Sequence, residues 1–168
     1  MNAPNGYDRR ILVAVCGMTP QVLTETLYAL LVAAAEPFLV NEMRLGTTAG
    51  GGDQALNARI GGGQLAALCE EFDLGEIRFD ESCVEVVRDA DGQELRDILT
   101  PEHNRLSADA ITDAVRRLAA LPDATLHVSL AGGRKTMGYY IGYALSLYGR
   151  ARDRLSHVLV EEGFESNR

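Results

Sequence analysis

The 168-residue sequence has no tryptophan, five prolines, three cysteines and a single lysine, Lys135. Cys16, Cys69 and Cys83 are odd in number and form no CxxC pair, which argues against a disulfide framework or a zinc site and fits buried thiols in a reducing compartment. The longest apolar stretch, 27–40, is broken by Glu36 and Pro37 and is too short to span a bilayer. The polar first ten residues lack the apolar region of a signal peptide, so a cytoplasmic protein with no membrane partner is expected. A net charge of −8 excludes the broad basic face that duplex nucleic acid requires, although a small anion remains compatible. Neither GxGxxG nor an HxxxH, HExxH or paired-carboxylate metal-ligand spacing appears, so no dinucleotide cofactor and no metal is implied.

What is present is an ordinary globular composition, 46% hydrophobic and 24% charged, of a length suited to one domain over 1–168 with no effector domain. The β-branched run Ile11–Cys16 reads as a central strand covered on both faces. Gly17-Met18-Thr19-Pro20 breaks it, with Thr19 able to cap a helix that runs to about Ala35. A strand over Glu42–Thr48 and a loose Gly50-Gly51-Gly52 loop follow, and 53–72 reads as two short helices interrupted at Gly61–Gly63. A strand-like stretch, 76–87, turns at Asp89–Gly92 into a hairpin returning through 93–98. The apolar stripe Ile111, Val115, Leu118 and Leu121 marks a helix starting near Ser107. Thr125–Leu130 is the next strand. Beyond a glycine turn, Met137, Ile141, Ala144, Leu145 and Tyr148 form the inner face of a helix, and Leu155–Val160 is the last strand. This alternation predicts an α/β, Rossmann-like, doubly wound and mostly parallel sheet with helices on both faces and an additional β-hairpin.

Chemistry concentrates at Ala131-Gly132-Gly133-Arg134-Lys135-Thr136, between a strand and a helix. Glycines let the backbone approach a ligand, free N–H groups at a helix start accept an anion, and Arg134 and Lys135 add charge, so phosphate is the expected guest. The segment is not a Walker loop, because Val128 stands where that motif has its first glycine and Arg134 separates glycine from lysine. A second candidate, Gly17 to Gln21, lies at another strand's end. In a doubly wound sheet the first and fourth strands are often neighbours, so Thr19 and Ser129 could line one crevice with Lys135. His103, His127 and His157 read as structural, and Arg152 to His157 matches an R-x4-H pattern of helical ribonucleases without the helical context.

Three blocks, residues 17–30, 97–104 and 126–140 continuing to 154–160, resemble the CRISPR-associated Rossmann fold (CARF) proteins, specifically the ring nucleases linked to type III CRISPR systems. The resemblance implies a homodimer whose two crevices meet on a twofold axis to hold a cyclic oligoadenylate, a tetramer or hexamer. It also implies cleavage by the ribose 2′-OH without a metal, which would switch off CRISPR signalling. Carried onto this sequence, Lys135 and the Gly132–Arg134 backbone would stabilise phosphate charge, and Thr19 and Ser129 would orient the 2′-OH or the phosphate. The ligand-lining set expected around them is Gly17, Met18, Pro20 and Gln21, then Thr47 and Thr48, then Ala131, Thr136 and Met137. A sensor that binds the ring and signals through a partner is the alternative. Residues 96–104 are a candidate lid.

Overall fold

The computed structural model describes residues 3–56 and 63–158. Its centre is β1, Arg9–Cys16, whose last six residues are all buried. β1 pairs in parallel with β2, Glu42–Thr47, on one side and with β4, Ala124–Ser129, on the other. Short edge strands, β3 (Val84–Val86) and β5 (Arg154–Ser156), complete an all-parallel sheet of order β3-β2-β1-β4-β5.

Side chains alternate across a strand, and here both faces are covered. Leu12, Ala14 and Cys16 pack with Leu23 and Leu27 of α1 (Gln21–Tyr28) and Leu65 of α3 (Leu65–Glu71). Ile11, Val13 and Val15 pack with Ile111 and Val115 of α4 (Pro101–Ala119) and with Met137 and Ile141 of α5 (Lys135–Tyr148). Each such fully buried aliphatic side chain contributes about 1.5–3 kcal/mol, which is why a continuous apolar strand sits at the centre rather than an alternating one. The doubly wound expectation is met, and the strand order reverses between β1 and β4, leaving a crevice beyond their carboxyl ends.

Several boundaries differ from the sequence reading. α1 is regular only to Tyr28; a wider π turn, Ala29–Ala33, then carries Leu30 and Leu31 into the core. Gly50–Gly52 is not a loop but most of a short helix, α2, Ala49–Asp53. A Cβ on Gly51 would stand 2.2 Å from Thr47 Oγ1 and 2.9 Å from the Gly17 carbonyl, so close packing outweighs the usual helical cost of glycine. α4 begins at Pro101 rather than near Ser107, because Thr100 Oγ1 accepts the His103 N–H at 3.1 Å and proline is favoured in the first turn. The Asp89–Gly92 turn closes, but its ladder is a lone antiparallel bridge between Arg88 and Glu94. The Asp80 carboxylate accepts the Ser82 N–H at 2.8 Å and fixes a tight turn at Glu81–Cys83, which leaves only β3 from the expected strand 76–87. Tyr148, expected inward, is exposed. Gly61 and Gly62 and the end of the last expected strand lie outside the described residues.

His127 lies buried in β4 beside Phe38, with its Nε2 2.8 Å from Ser156 Oγ. Burial, aided by the Arg154 charge, pushes its imidazole down to about 4 from an ordinary 6.5. The unfolded chain therefore binds the extra proton between these values, so the neutral ring's contribution is complete above pH 6.5 and is lost as pH falls through about 4. Urea midpoints measured across that range should fall with pH in the wild type, and His127→Leu should flatten the fall; an unchanged slope would contradict the assignment.

Candidate functional site

Two loops meet where β1 and β4 diverge. A Cβ on Gly17 would lie only 3.7 Å from Gly133 Cα, so the Gly17–Pro20 and Leu130–Arg134 segments are in contact. The second loop depends on glycine: Gly132 and Gly133 have φ of 97° and 67°, and a Cβ at 132 would stand 2.6 Å from the Val15 carbonyl oxygen. Gly132 thereby lays the turn directly on the end of β1.

From this turn α5 starts with Arg134 in extended conformation and no side chain capping it. The amides of Met137 and Gly138 bond back to the Arg134 carbonyl, leaving those of Lys135 and Thr136 without partners among the described residues. Gly133, Arg134, Lys135 and Thr136 are all exposed, so this helix end is open to solvent. α1 also starts at the crevice without a side-chain cap. Thr19, expected as its cap, is exposed in the preceding loop, where its hydroxyl is left for other partners. Two helix starts converging on one crevice present uncompensated N–H dipoles, a setting that favours an anion.

The neighbouring cations are placed differently. Arg134 is committed to Asp97: its Nε donates to one carboxylate oxygen at 2.9 Å and its Nη2 to the other. The Arg134 guanidinium in turn holds the Asp97 carboxyl below its usual range. Lys135 has no carboxylate partner among the described residues. The ion pair ties segment 96–100 to the turn, so the sequence's candidate lid is anchored at Asp97, and its second half is the first turn of α4.

Of the sequence-predicted residues, the crevice gathers Gly17, Met18, Thr19, Gly132 and Gly133 around a depression of about 180 Å³, and Gln21 is exposed in the first turn of α1. Others are buried. Ser129 is completely buried and its hydroxyl oxygen accepts the Ala131 N–H at 3.2 Å, so it supports the turn. Thr47 is equally buried, donating to the Cys16 carbonyl at 2.8 Å and joining the ends of β2 and β1. Pro20, Thr48, Ala131 and Met137 are buried as well and do not border the depression.

Two features escaped the sequence reading. On the far side of the glycine turn, Leu130, Lys135, Tyr139 and His157 border a recess of about 400 Å³. Beyond Met18, a polar recess of about 750 Å³ is lined by Asp53, Arg88, Glu94 and Arg96. The signal for the first was available, since Lys135, Tyr139 and Tyr143 recur at i+4 opposite the buried Met137 and Ile141. The second joins α2 to the Asp89 turn, a pairing that no local pattern announces. A small apolar slot of about 60 Å³ between β2, β3 and α4 shares no residue with the crevice.

The Cys16 thiol, at the end of β1, is pushed up to about 11 by burial and is a poor nucleophile. Among the described residues no group of three or more His, Cys, Asp or Glu side chains could hold a metal ion, and no helix is long and apolar enough to cross a membrane.

No curated protein matches the chain. A solved structure of Enterococcus italicus Csm6 bound to cyclic hexa-2'-fluoro-hexa-dAMP is similar over 91% of the chain, at 16% identity and a TM-score of 0.46. The chain spans about a third of that protein's length, 34%. A family model described as CRISPR-associated protein NE0113 matches residues 19–168, a span that takes in both helix starts of the crevice, and the chain belongs to this family of CRISPR-associated proteins.

Proposed function

We propose that the chain binds a cyclic oligoadenylate, cyclic tetra-adenylate above all, across a twofold homodimer and cleaves it, ending a type III CRISPR signal. The observation that carries this reading is the exposed, uncapped start of α5 beside Lys135, at the sheet's switch point. A phosphodiester accepts hydrogen bonds from the Lys135 and Thr136 amides, and the Lys135 ammonium neutralises the charge that grows on the non-bridging oxygens. The Thr19 hydroxyl orients the attacking ribose 2′-OH. That oxygen gives up its proton to solvent water as it bonds to the adjacent phosphorus, the bond from phosphorus to the 5′-oxygen breaks, the 5′-oxygen takes a proton from solvent, and the product is a linear oligoadenylate with a 2′,3′-cyclic phosphate. Positioning and electrostatics supply the acceleration, and the protein's residues carry it without a metal. Ser129 acts through the turn it braces, and Arg134 through its backbone and its grip on Asp97.

One observation favours a second reading, a sensor that holds the ring intact for a partner effector. The residues around the Thr19 depression, Gly17, Met18, Val22, Gly132 and Gly133, include no titratable group to serve as general base, and such a base is worth about 10²- to 10⁴-fold. Prolonged single-turnover incubation with cyclic tetra-adenylate or cyclic hexa-adenylate in EDTA, resolved by chromatography, separates the two. Linear products ending in a 2′,3′-cyclic phosphate support the nuclease; bound but intact rings assign the sensor.

A further inference from the structure

We infer that the recess on the far side of the glycine turn seats one adenine of the bound ring, stacked on the phenol ring of Tyr139, an inference that rests on the cyclic oligoadenylate reading. Tyr139 is 66% exposed although it lies in the second turn of a helix whose opposite side is buried core. An aromatic ring is costly to leave in water, and this one borders a concavity of about 400 Å³ rather than standing on a convex surface. The ring is held in place: Tyr143 lies nearly parallel to it, 9° between planes and 6.0 Å between centroids, and Tyr140 meets it edge-on at 5.5 Å. Tyr140 is in turn anchored, its hydroxyl accepting the Asn104 side-chain N–H at 2.7 Å. Gly138 sets the wall, because a Cβ there would stand 3.1 Å from the Leu130 carbonyl oxygen, and its absence lets α5 lie close against the end of β4.

The spacing argues for a nucleotide rather than a protein surface. Lys135 and Tyr139 are i and i+4 on one helix face, separated by about 6 Å of helical rise. A phosphate on the ammonium and the base of the same nucleotide are a comparable distance apart, so one residue of the ring spans both. Tyr143 and Leu147 continue the exposed stripe but do not border the recess, so the concavity coincides with the part of the stripe nearest the cation. Stacking on a base is tolerant of hydroxyl loss but not of ring loss.

The test uses cyclic tetra-adenylate and cyclic hexa-adenylate carrying one 2-aminopurine, whose fluorescence is quenched on stacking, titrated into wild type, Tyr139→Phe and Tyr139→Ala, with sedimentation velocity on each. Because Tyr139 is exposed, the variants should fold as the wild type does, as a thermal melt checks. Tyr139→Phe should bind and quench as wild type, whereas Tyr139→Ala should bind about 5- to 150-fold more weakly and lose the quench. Unchanged affinity and quench in Tyr139→Ala would overturn the stacking role while leaving ring binding intact. Conversion of a wild-type dimer to monomers by Tyr139→Ala would overturn it in favour of a subunit contact. Failure of the wild type to bind either ring would remove the parent reading, and this one with it.

Discussion

Lys135→Ala is expected to slow ring cleavage by about 10²- to 10³-fold, the usual consequence of deleting one preorganised charge-stabilising donor. Thermal stability should be nearly unchanged, because the ammonium is exposed and leaves no carboxylate partner behind among the described residues. The neighbouring cation cannot take over. Arg134 is engaged by both oxygens of Asp97, so its guanidinium is directed at segment 96–100 and only its backbone belongs to the turn. Lys135→Arg should recover part of the loss, since a planar fork restores charge but not the compact ammonium. Single-turnover rates on cyclic tetra-adenylate check this, and a Lys135→Ala protein that cut at the wild-type rate would remove the lysine from the mechanism.

The second large effect is on the turn itself. Gly132→Ala is expected to cost about 2–5 kcal/mol, combining a left-handed backbone conformation that alanine resists with a steric collision. The added Cβ would stand 2.6 Å from the Val15 carbonyl oxygen and 2.9 Å from Val22 Cγ1, so β1 or α1 must move. Gly92→Ala is the matched control: its φ is also positive, at 78°, but a Cβ there meets nothing within 4 Å. Urea denaturation should therefore show about 1–3 kcal/mol for Gly92→Ala and a clearly larger loss for Gly132→Ala. Equal losses would mean that the contact between turn and strand is not what demands glycine.

The sheet was legible in the sequence for a physical reason. β1 and β4 are buried on both faces, and such strands announce themselves as unbroken apolar runs bounded by turn residues. The site's backbone was legible too, because a turn with two positive-φ positions at a helix start needs glycine and leaves a local signature in Gly132-Gly133. What failed were features set by distant partners. The Gly50–Gly52 helix is explained only by Thr47 and the Gly17 carbonyl pressing against Gly51, contacts between separate strand ends. Ser129 looked like a ligand group because its place at the carboxyl end of β4 was foreseeable, but its complete burial and its bond to the Ala131 amide were not. The Arg134–Asp97 pair joins residues far apart in sequence, so the sequence could separate Lys135 from Arg134 but could not say what holds the Arg134 side chain.

The most direct measurement is a crystal structure of the protein with uncleavable 2′-deoxy cyclic tetra-adenylate. A phosphate should sit within about 2.7–3.2 Å of the Lys135 and Thr136 amide nitrogens, with the Lys135 ammonium on the same group and two protomers sharing the ring. A ring bound instead in the Arg88 and Arg96 recess, with the start of α5 untouched, would contradict the account.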